Sequence, residues 1–285
     1  MILIKIFSSF CDSENCKSVF ERLCEVSKID SYGPDKKIYI TTGDDYTHAI
    51  IMNTAMPNLT ISKKNVVGLA FEPYEFLGIT PQFIEYAKKH IGKYYIGEKR
   101  QLPSPFIEHF SYMWFSLPKK EFTLVDKNIK KPMSIIVSNK RQAPGHIYRH
   151  ELINEIINNN MNIDIYGSGS KQYNSSQVVG PFEDSEPYEK YFFTISIENY
   201  SHNDYISEKF ISPMLYNCMP IYKGCKKINK YFPNDSYILL TGNVKEDIEY
   251  LKKILENPPW YYRQTNTEEN RKTINLIKNI SKIYK

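Results

Sequence analysis

Residues 190–224 (KYFFTISIENYSHNDYISEKFISPMLYNCMPIYKG) constrain this chain more than any other stretch. An apolar, β-rich run over 192–197 stops at Glu198-Asn199, and a polar turn leads to Tyr205-Ile206-Ser207-Glu208-Lys209. An amphipathic helix begins there, and Pro220-Ile221-Tyr222 starts another strand. Strand, polar loop, helix N-terminus and strand is the arrangement by which open α/β sheets hold a nucleotide beyond their strand ends. Glu208 and Lys209 bring complementary chemistry to the helix start. The carboxylate can accept hydrogen bonds from a ribose diol, and the ammonium can neutralise a pyrophosphate beside the helix dipole. Taken alone, Ser207-Glu208-Lys209 also fits an ordinary capped helix with a surface Glu-Lys pair.

The same alternation runs through the chain and predicts an α/β fold with parallel sheets. In the first half, 2–7, 38–40, 49–52, 66–71 and 94–96 read as strands, and 18–24 and 81–90 as helices. The second of those helices carries Pro81 in its first turn. In the second half a strand at 134–137, a helix at 148–158 and a strand at 163–166 precede Gly167-Ser168-Gly169 and the segment above. The Lys- and Pro-rich stretch near 117–131 separates the halves, giving domains 1–129 and 130–262 and a C-terminal helix over 263–285. In that tail Ile274, Ile277 and Ile280 share one face. The face reads as a helix packing back on the protein, with weak peripheral membrane contact as the alternative.

Composition narrows the function classes. At 285 residues, with 41% hydrophobic and 24% charged residues, the chain is globular and long enough for two domains. The net charge of +5 is spread without a basic stripe, which argues against nucleic acid as a partner. Cys11, Cys16, Cys24, Cys218 and Cys225 include no Cys-x-x-Cys pair, so free thiols in a reducing compartment are expected. Neither a signal peptide nor an apolar run of membrane-spanning length is legible, and a soluble, cytoplasmic protein is the expectation. Asp44-Asp45 and Glu183-Asp184 are adjacent acids in polar loops, and no Asp-x-Asp follows a strand to hold a divalent ion.

The motif around Glu198 resembles the donor-binding motif of the α1,3-fucosyltransferases of glycosyltransferase family ten. That pattern is Phe-x-x-x-x-Glu-Asn-Ser, a gap, Asp-Tyr-Val-Thr-Glu-Lys, a helix and a Pro-Val/Ile-x-x-Gly strand. Here it reads Phe193, Glu198-Asn199-Tyr200, Asp204-Tyr205-Ile206-Ser207-Glu208-Lys209, Pro220-Ile221 and Gly224. The run Lys230-Tyr231-Phe232-Pro233-Asn234-Asp235-Ser236-Tyr237-Ile238 is similar to the family's Phe-x-Pro-x-x-Ser-Phe-Ile. Tyr200 replaces the family's Ser.

The resemblance implies a GT-B-like fold, with two Rossmann-like domains facing a central cleft. Residues 1–129 would then be the acceptor side and 130–262 the GDP-sugar side. It implies an inverting transfer of L-fucose from GDP-fucose to a glycan hydroxyl, α1,3 being the expected linkage, with GDP-fucose as donor substrate and no cofactor required. A protein cation at Lys209 would take the place of a metal. Donor contacts would be Lys209 to the pyrophosphate, Glu208 to the ribose, and Tyr205 and Asn199. The catalytic base would be Glu72, at the end of an apolar strand and before Pro73, with Glu75 as its rival. The family's phosphate-binding Arg falls on Gly145, beside His146; Arg149 is the favoured replacement and Arg141 the other. A different nucleotide sugar, or a non-catalytic nucleotide- or carbohydrate-binding relative, is the alternative reading.

Overall fold

A computed structural model describes residues 1–26, 37–112, 130–183 and 185–285. The side chain of Cys24, Asp184, and the expected 129/130 divide lie outside the described residues. The chain forms two compact units. The first comprises Met1–Leu117, His202–Ser207 and Arg271–Lys285, and the second Pro118–Ser201 and Glu208–Asn270.

The first unit is built on a parallel sheet of β1 (Ile2–Ser8), β2 (Ile38–Ile40), β3 (His48–Met52), β4 (Val66–Leu69), β5 (Lys93–Ile96) and β6 (Phe106–Glu108). Their order is β2-β1-β3-β4-β5-β6. The short strands β3 and β4 are apolar along almost their whole length because both sheet faces are covered. Helices α1 (Ser13–Val26), α2 (Tyr74–Leu77) and α3 (Pro81–His90) belong to this unit. Thr80 caps α3, its hydroxyl accepting from the Phe83 amide at 3.2 Å.

The second unit repeats the plan with β7 (Lys131–Ile136), β8 (Ile163–Tyr166), β9 (Val178–Gly180), β10 (Tyr191–Ile197), β11 (Met219–Lys223) and β12 (Ile238–Leu239). The order is β12-β11-β10-β7-β8-β9, again parallel. Helices α4 (Pro144–Asn158), α5 (Glu186–Glu189), α6 (Glu208–Leu215), α7 (Val244–Glu256) and α8 (Pro258–Tyr261) complete it. All seven residues of β10 are buried, which makes it a central strand between β7 and β11. One core cluster joins Ile135, Ile165, Phe193, Ile195 and Ile221 of the sheet to Leu152, Ile153, Leu251 and Ile254 of α4 and α7.

The C-terminal tail differs from the single helix expected. It holds two short helices, α9 (Glu268–Ile274) and α10 (Ile280–Tyr284). Asparagines between them compete for the backbone. Asn275 Oδ1 accepts from the Lys278 amide at 2.9 Å, and Asn279 Nδ2 donates to the Lys272 and Asn275 carbonyls, each at 2.9 Å. Ile274, Ile277 and Ile280 are all buried, so this face is spent on the protein interior and is not available to a membrane surface. Within the first unit Tyr284 donates to the Ala49 carbonyl at 3.0 Å. No helix among the described residues is long and apolar enough to cross a membrane. Cys11, Cys16, Cys218 and Cys225 are free thiols.

Candidate functional site

In each sheet the chain reverses direction next to its first strand, leaving a crevice beyond the strand ends where α/β folds hold ligands. In the second unit this switch point lies between β7 and β10. Glu198 follows the last residue of β10 and is 1% exposed. The first turn of α4 comes up against it at Gly145, whose amide donates to the Asn199 carbonyl at 3.0 Å. A Cβ at Gly145 would stand 1.9 Å from the Glu198 carbonyl oxygen, and one at Gly224 would stand 2.4 Å from Glu198 Cγ. Glycine at both positions is what lets helix and strand ends close around the carboxylate. The position where the family resemblance seeks an Arg therefore has no room for a side chain.

Four ionisable groups gather here. Lys209 Nζ lies 2.7 Å from Glu208 Oε1 and 3.9 Å from Glu198 Oε2. Tyr222 donates to Glu198 Oε1 at 3.3 Å. Arg149 is buried and its Nη2 donates to the Ile197 carbonyl. Burial pulls the Arg149 guanidinium down to about 10 against the upward pull of Glu198 and Glu208. For Lys209, burial works to lower the pKa, but Glu208 and then Glu198 outweigh it and hold the ammonium above its ordinary value. A buried guanidinium and a half-buried ammonium thus share the field of two carboxylates at the mouth of a switch point. Such a site can take up the charge of a diphosphate with groups already oriented.

His146, one residue beyond Gly145, is 2% exposed, and its Nδ1 has no hydrogen-bond partner among the described residues. Burial, then Arg149, Lys140 and Lys209, pull its pKa down to about 4, so the imidazole is neutral near pH 7. Asn199 Oδ1 is likewise buried without a partner among the described residues. Of the expected residues, Lys209, Glu208, Asn199 and Arg149 come together in this unit. Arg141 instead lies exposed on Gln172 at 2.7 Å. Glu198 and His146 also belong to this buried cluster, though their residue types and spacing assign them no place in it. The sign of Glu198 was its place at the end of an apolar run; no sequence signal gives the burial of His146.

Tyr205 belongs with His202–Ser207 to the first unit. It is buried, with its hydroxyl 3.4 Å from the Phe71 carbonyl. Its neighbours fasten this segment down: the Asp204 amide donates to the Gly97 carbonyl at 2.9 Å, and Asn203 Nδ2 donates to Glu108 at 3.3 Å.

In the first unit, Glu72 is half-buried in the loop after β4. That loop is tied to the end of β3 by Asn53, whose Oδ1 accepts from the Phe71 amide at 3.0 Å. Glu75 is engaged differently: Arg100 donates to one of its oxygens and His202 Nε2 lies 2.8 Å from the other. Burial acts to raise the Glu75 pKa, but His202, the local backbone and Arg100 together bring it below the ordinary value. Its basicity is correspondingly reduced. Asp44, one of the loop acids, pairs with Lys5 at 2.9 Å. No group of three or more metal-ligating side chains occurs among the described residues.

Two parallel-sheet α/β units of this kind are the GT-B class expected from the sequence. The chain shares its fold with an α1,3-fucosyltransferase crystallised with GDP, at 14% identity and TM-score 0.53, over 99% of this chain and 92% of that one. It is 36% identical over 80 residues to alpha-(1,3)-fucosyltransferase B of Drosophila melanogaster, covering 26% of this chain and 18% of that protein. It is 29% identical over 188 residues to putative fucosyltransferase R654 of Acanthamoeba polyphaga mimivirus, covering 59% and 28% respectively. The matched stretches thus span well under a third of these relatives' own length. The family model described as glycosyltransferase family 10 (fucosyltransferase), C-terminal part, matches residues 126–281. That span takes in the whole of the switch point built by Gly145, Arg149, Glu198, Glu208 and Lys209 and more than half of the sequence, and the chain belongs to glycosyltransferase family 10.

Proposed function

We propose that the protein is an inverting fucosyltransferase that moves L-fucose from GDP-fucose to a glycan hydroxyl, with an α1,3 linkage. The observation that carries this reading is the pair of cations, buried Arg149 and half-buried Lys209, at the switch point of the second unit in a family 10 chain. Lys209 takes the diphosphate charge, and Arg149 adds to the positive field from beneath. Glu208 accepts the ribose hydroxyls. Glu198 holds the Lys209 ammonium charged and in place. Asn199, with its buried carbonyl oxygen, is the donor contact of the loop. Tyr205 acts by fixing the run that leads into Glu208-Lys209.

In the reaction the acceptor oxygen attacks C1 of fucose, the bond from C1 to the β-phosphate oxygen breaks, and its electron pair leaves with GDP. One displacement inverts the anomeric centre, so no covalent enzyme intermediate is required. Glu72 receives the acceptor proton; Glu75, engaged by His202 and Arg100, is the weaker base. The protein cations carry the leaving-group charge in this proposal.

Gly145 in place of an Arg supports a second reading, in which the donor is another nucleotide sugar. Incubation with GDP-fucose, GDP-mannose and UDP-glucose in separate reactions on a glycan array, read by mass, separates the two. The expected product is a deoxyhexose added from GDP-fucose alone. Transfer from another donor would support the second reading, and no transfer from any would remove both.

A further inference from the structure

The turn from β1 into α1 holds two of the chain's five cysteines in contact, with Cys11 Sγ and Cys16 Sγ 2.8 Å apart. Asp12 caps the helix: its Oδ1 accepts from the Asn15 amide at 2.8 Å, and its carbonyl accepts from the Cys16 amide at 3.0 Å. Cys11 therefore precedes the cap and Cys16 closes the first helical turn, the two positions whose side chains meet across a helix start. Ser8 Oγ holds the turn by accepting from the Phe10 and Cys11 amides at 3.2 and 3.3 Å. Two alkyl side chains at these positions would only pack, whereas two thiols can react. Their surroundings differ. Cys16 is 1% exposed, and its Sγ lies 3.9 Å from Met52 Sδ at the end of β3. Burial, then the hydrogen bond and charge of Cys11, push the Cys16 thiol well above its ordinary range. Cys11 is half-buried and lines a cavity of about 570 Å³ with Ser8, Ser9 and Thr54, which gives a small oxidant room to reach it. The sulfur separation decides between two fates of a thiol pair. Two sulfurs on one tetrahedral zinc, each about 2.3 Å from the metal, stand about 3.8 Å apart. A disulfide bond is about 2.05 Å long. At 2.8 Å the pair is nearer the second, and no group of three metal-ligating side chains occurs among the described residues.

We propose that Cys11 and Cys16 form a redox site that hydroperoxides oxidise to a reversible disulfide. The Cys11 sulfur attacks the O–O bond, giving Cys11–SOH, and its thiol proton goes to the departing oxygen, which leaves as alcohol, or as water from hydrogen peroxide. Cys16 Sγ then attacks the Cys11 sulfur. The S–S bond forms, the S–O bond breaks, and hydroxide leaves with the Cys16 proton as water. Two thiols give up two electrons in all, and the peroxide O–O bond takes them. Exposure sets the order: the half-buried Cys11 meets the oxidant, and the buried Cys16 resolves the intermediate. A dithiol returns the pair to its reduced form by exchange. None of this depends on the sugar-transfer reading.

The test is a peptide mass. Trypsin, cutting after Lys5 and Lys17, puts both sulfurs in the peptide 6–17, which holds no other cysteine. Full-length protein, reduced and then freed of reductant, is treated with hydrogen peroxide, alkylated with iodoacetamide and digested. The peptide should be two hydrogens lighter than its dithiol form and carry no alkyl group. Dithiothreitol added before alkylation should restore both alkylation sites. In Cys16→Ser the resolving thiol is gone, so dimedone should trap Cys11 as its sulfenic acid at least about tenfold more than in the wild type. Two alkylated thiols in the peroxide-treated wild type would overturn the proposal, as would equal dimedone trapping in wild type and Cys16→Ser. The wild-type masses decide the matter whether or not the variant folds.

Discussion

Lys209 owes its position to two carboxylates of different standing. Glu208 is its neighbour on the helix and half-exposed, whereas Glu198 is buried at the end of a central strand. Removing the ammonium leaves Glu198 buried without its cation and the site without its nearest positive charge. Lys209→Ala should therefore raise the dissociation constant for GDP by about 100-fold or more, the cost of losing one preorganised electrostatic group. Glu72→Gln separates the two halves of the chemistry: turnover should fall by about 100-fold or more with GDP affinity unchanged. Transfer at the wild-type rate would take Glu72 out of the role of base. His146 predicts a pH effect on stability. Its folded pKa of about 4 lies below the 6.5 of an unfolded histidine, so the unfolded chain binds the extra proton first. The stability gained from keeping it neutral is present above pH 6.5 and is lost as pH falls from 6.5 toward 4, by up to about 3 kcal/mol. In urea unfolding at pH 7 and pH 5, His146→Gln should lose less stability than the wild type across that interval. An equal loss would show that His146 contributes nothing to the slope.

At the scale of elements, the meeting of α4 with β10 decides the site. Gly145→Ala puts a methyl group on the Glu198 carbonyl, so helix and strand end must part. The expected cost is about 1–3 kcal/mol of stability together with weakened GDP binding; a variant with wild-type melting temperature and GDP affinity would contradict it. How legible these elements were depends on how local their causes are. β10 was readable because six of its seven residues, all but Ser196, are aromatic or β-branched, a composition that favours a strand. α3 was readable to the residue because Thr80 caps it and Pro81 opens it. The start of α4 was read four residues late, since Pro144-Gly145-His146-Ile147 lacks helical amphipathicity; Gly145 and His146 are buried where the turn meets Glu198, while Pro144 and Ile147 are exposed. The tail was read as one helix because its isoleucines repeat at helical spacing, while the asparagines that interrupt it act through specific hydrogen bonds.

For the molecule as a whole, the sequence showed two α/β halves but not how the motif divides between them. Glu198, Asn199, Glu208 and Lys209 belong to the second unit, and the six residues from His202 to Ser207 to the first. That division depends on hydrogen bonds to Gly97, Glu98 and Glu108, about a hundred residues away, which no local pattern records. The strand orders that create the two switch points are non-local in the same way. The switch point of the second unit is marked by its charge, with Arg149 buried and Lys209 half-buried beside Glu198 and Glu208. The account stands on that site. Its most direct test is calorimetric titration of GDP into the wild type and Lys209→Ala, with thermal unfolding of both alongside. The wild type should bind, gaining about 2.7 kcal/mol of stability at a hundred times the dissociation constant, and the variant should fold but bind GDP about 100-fold more weakly or worse. Equal GDP affinity in the two proteins would contradict the account.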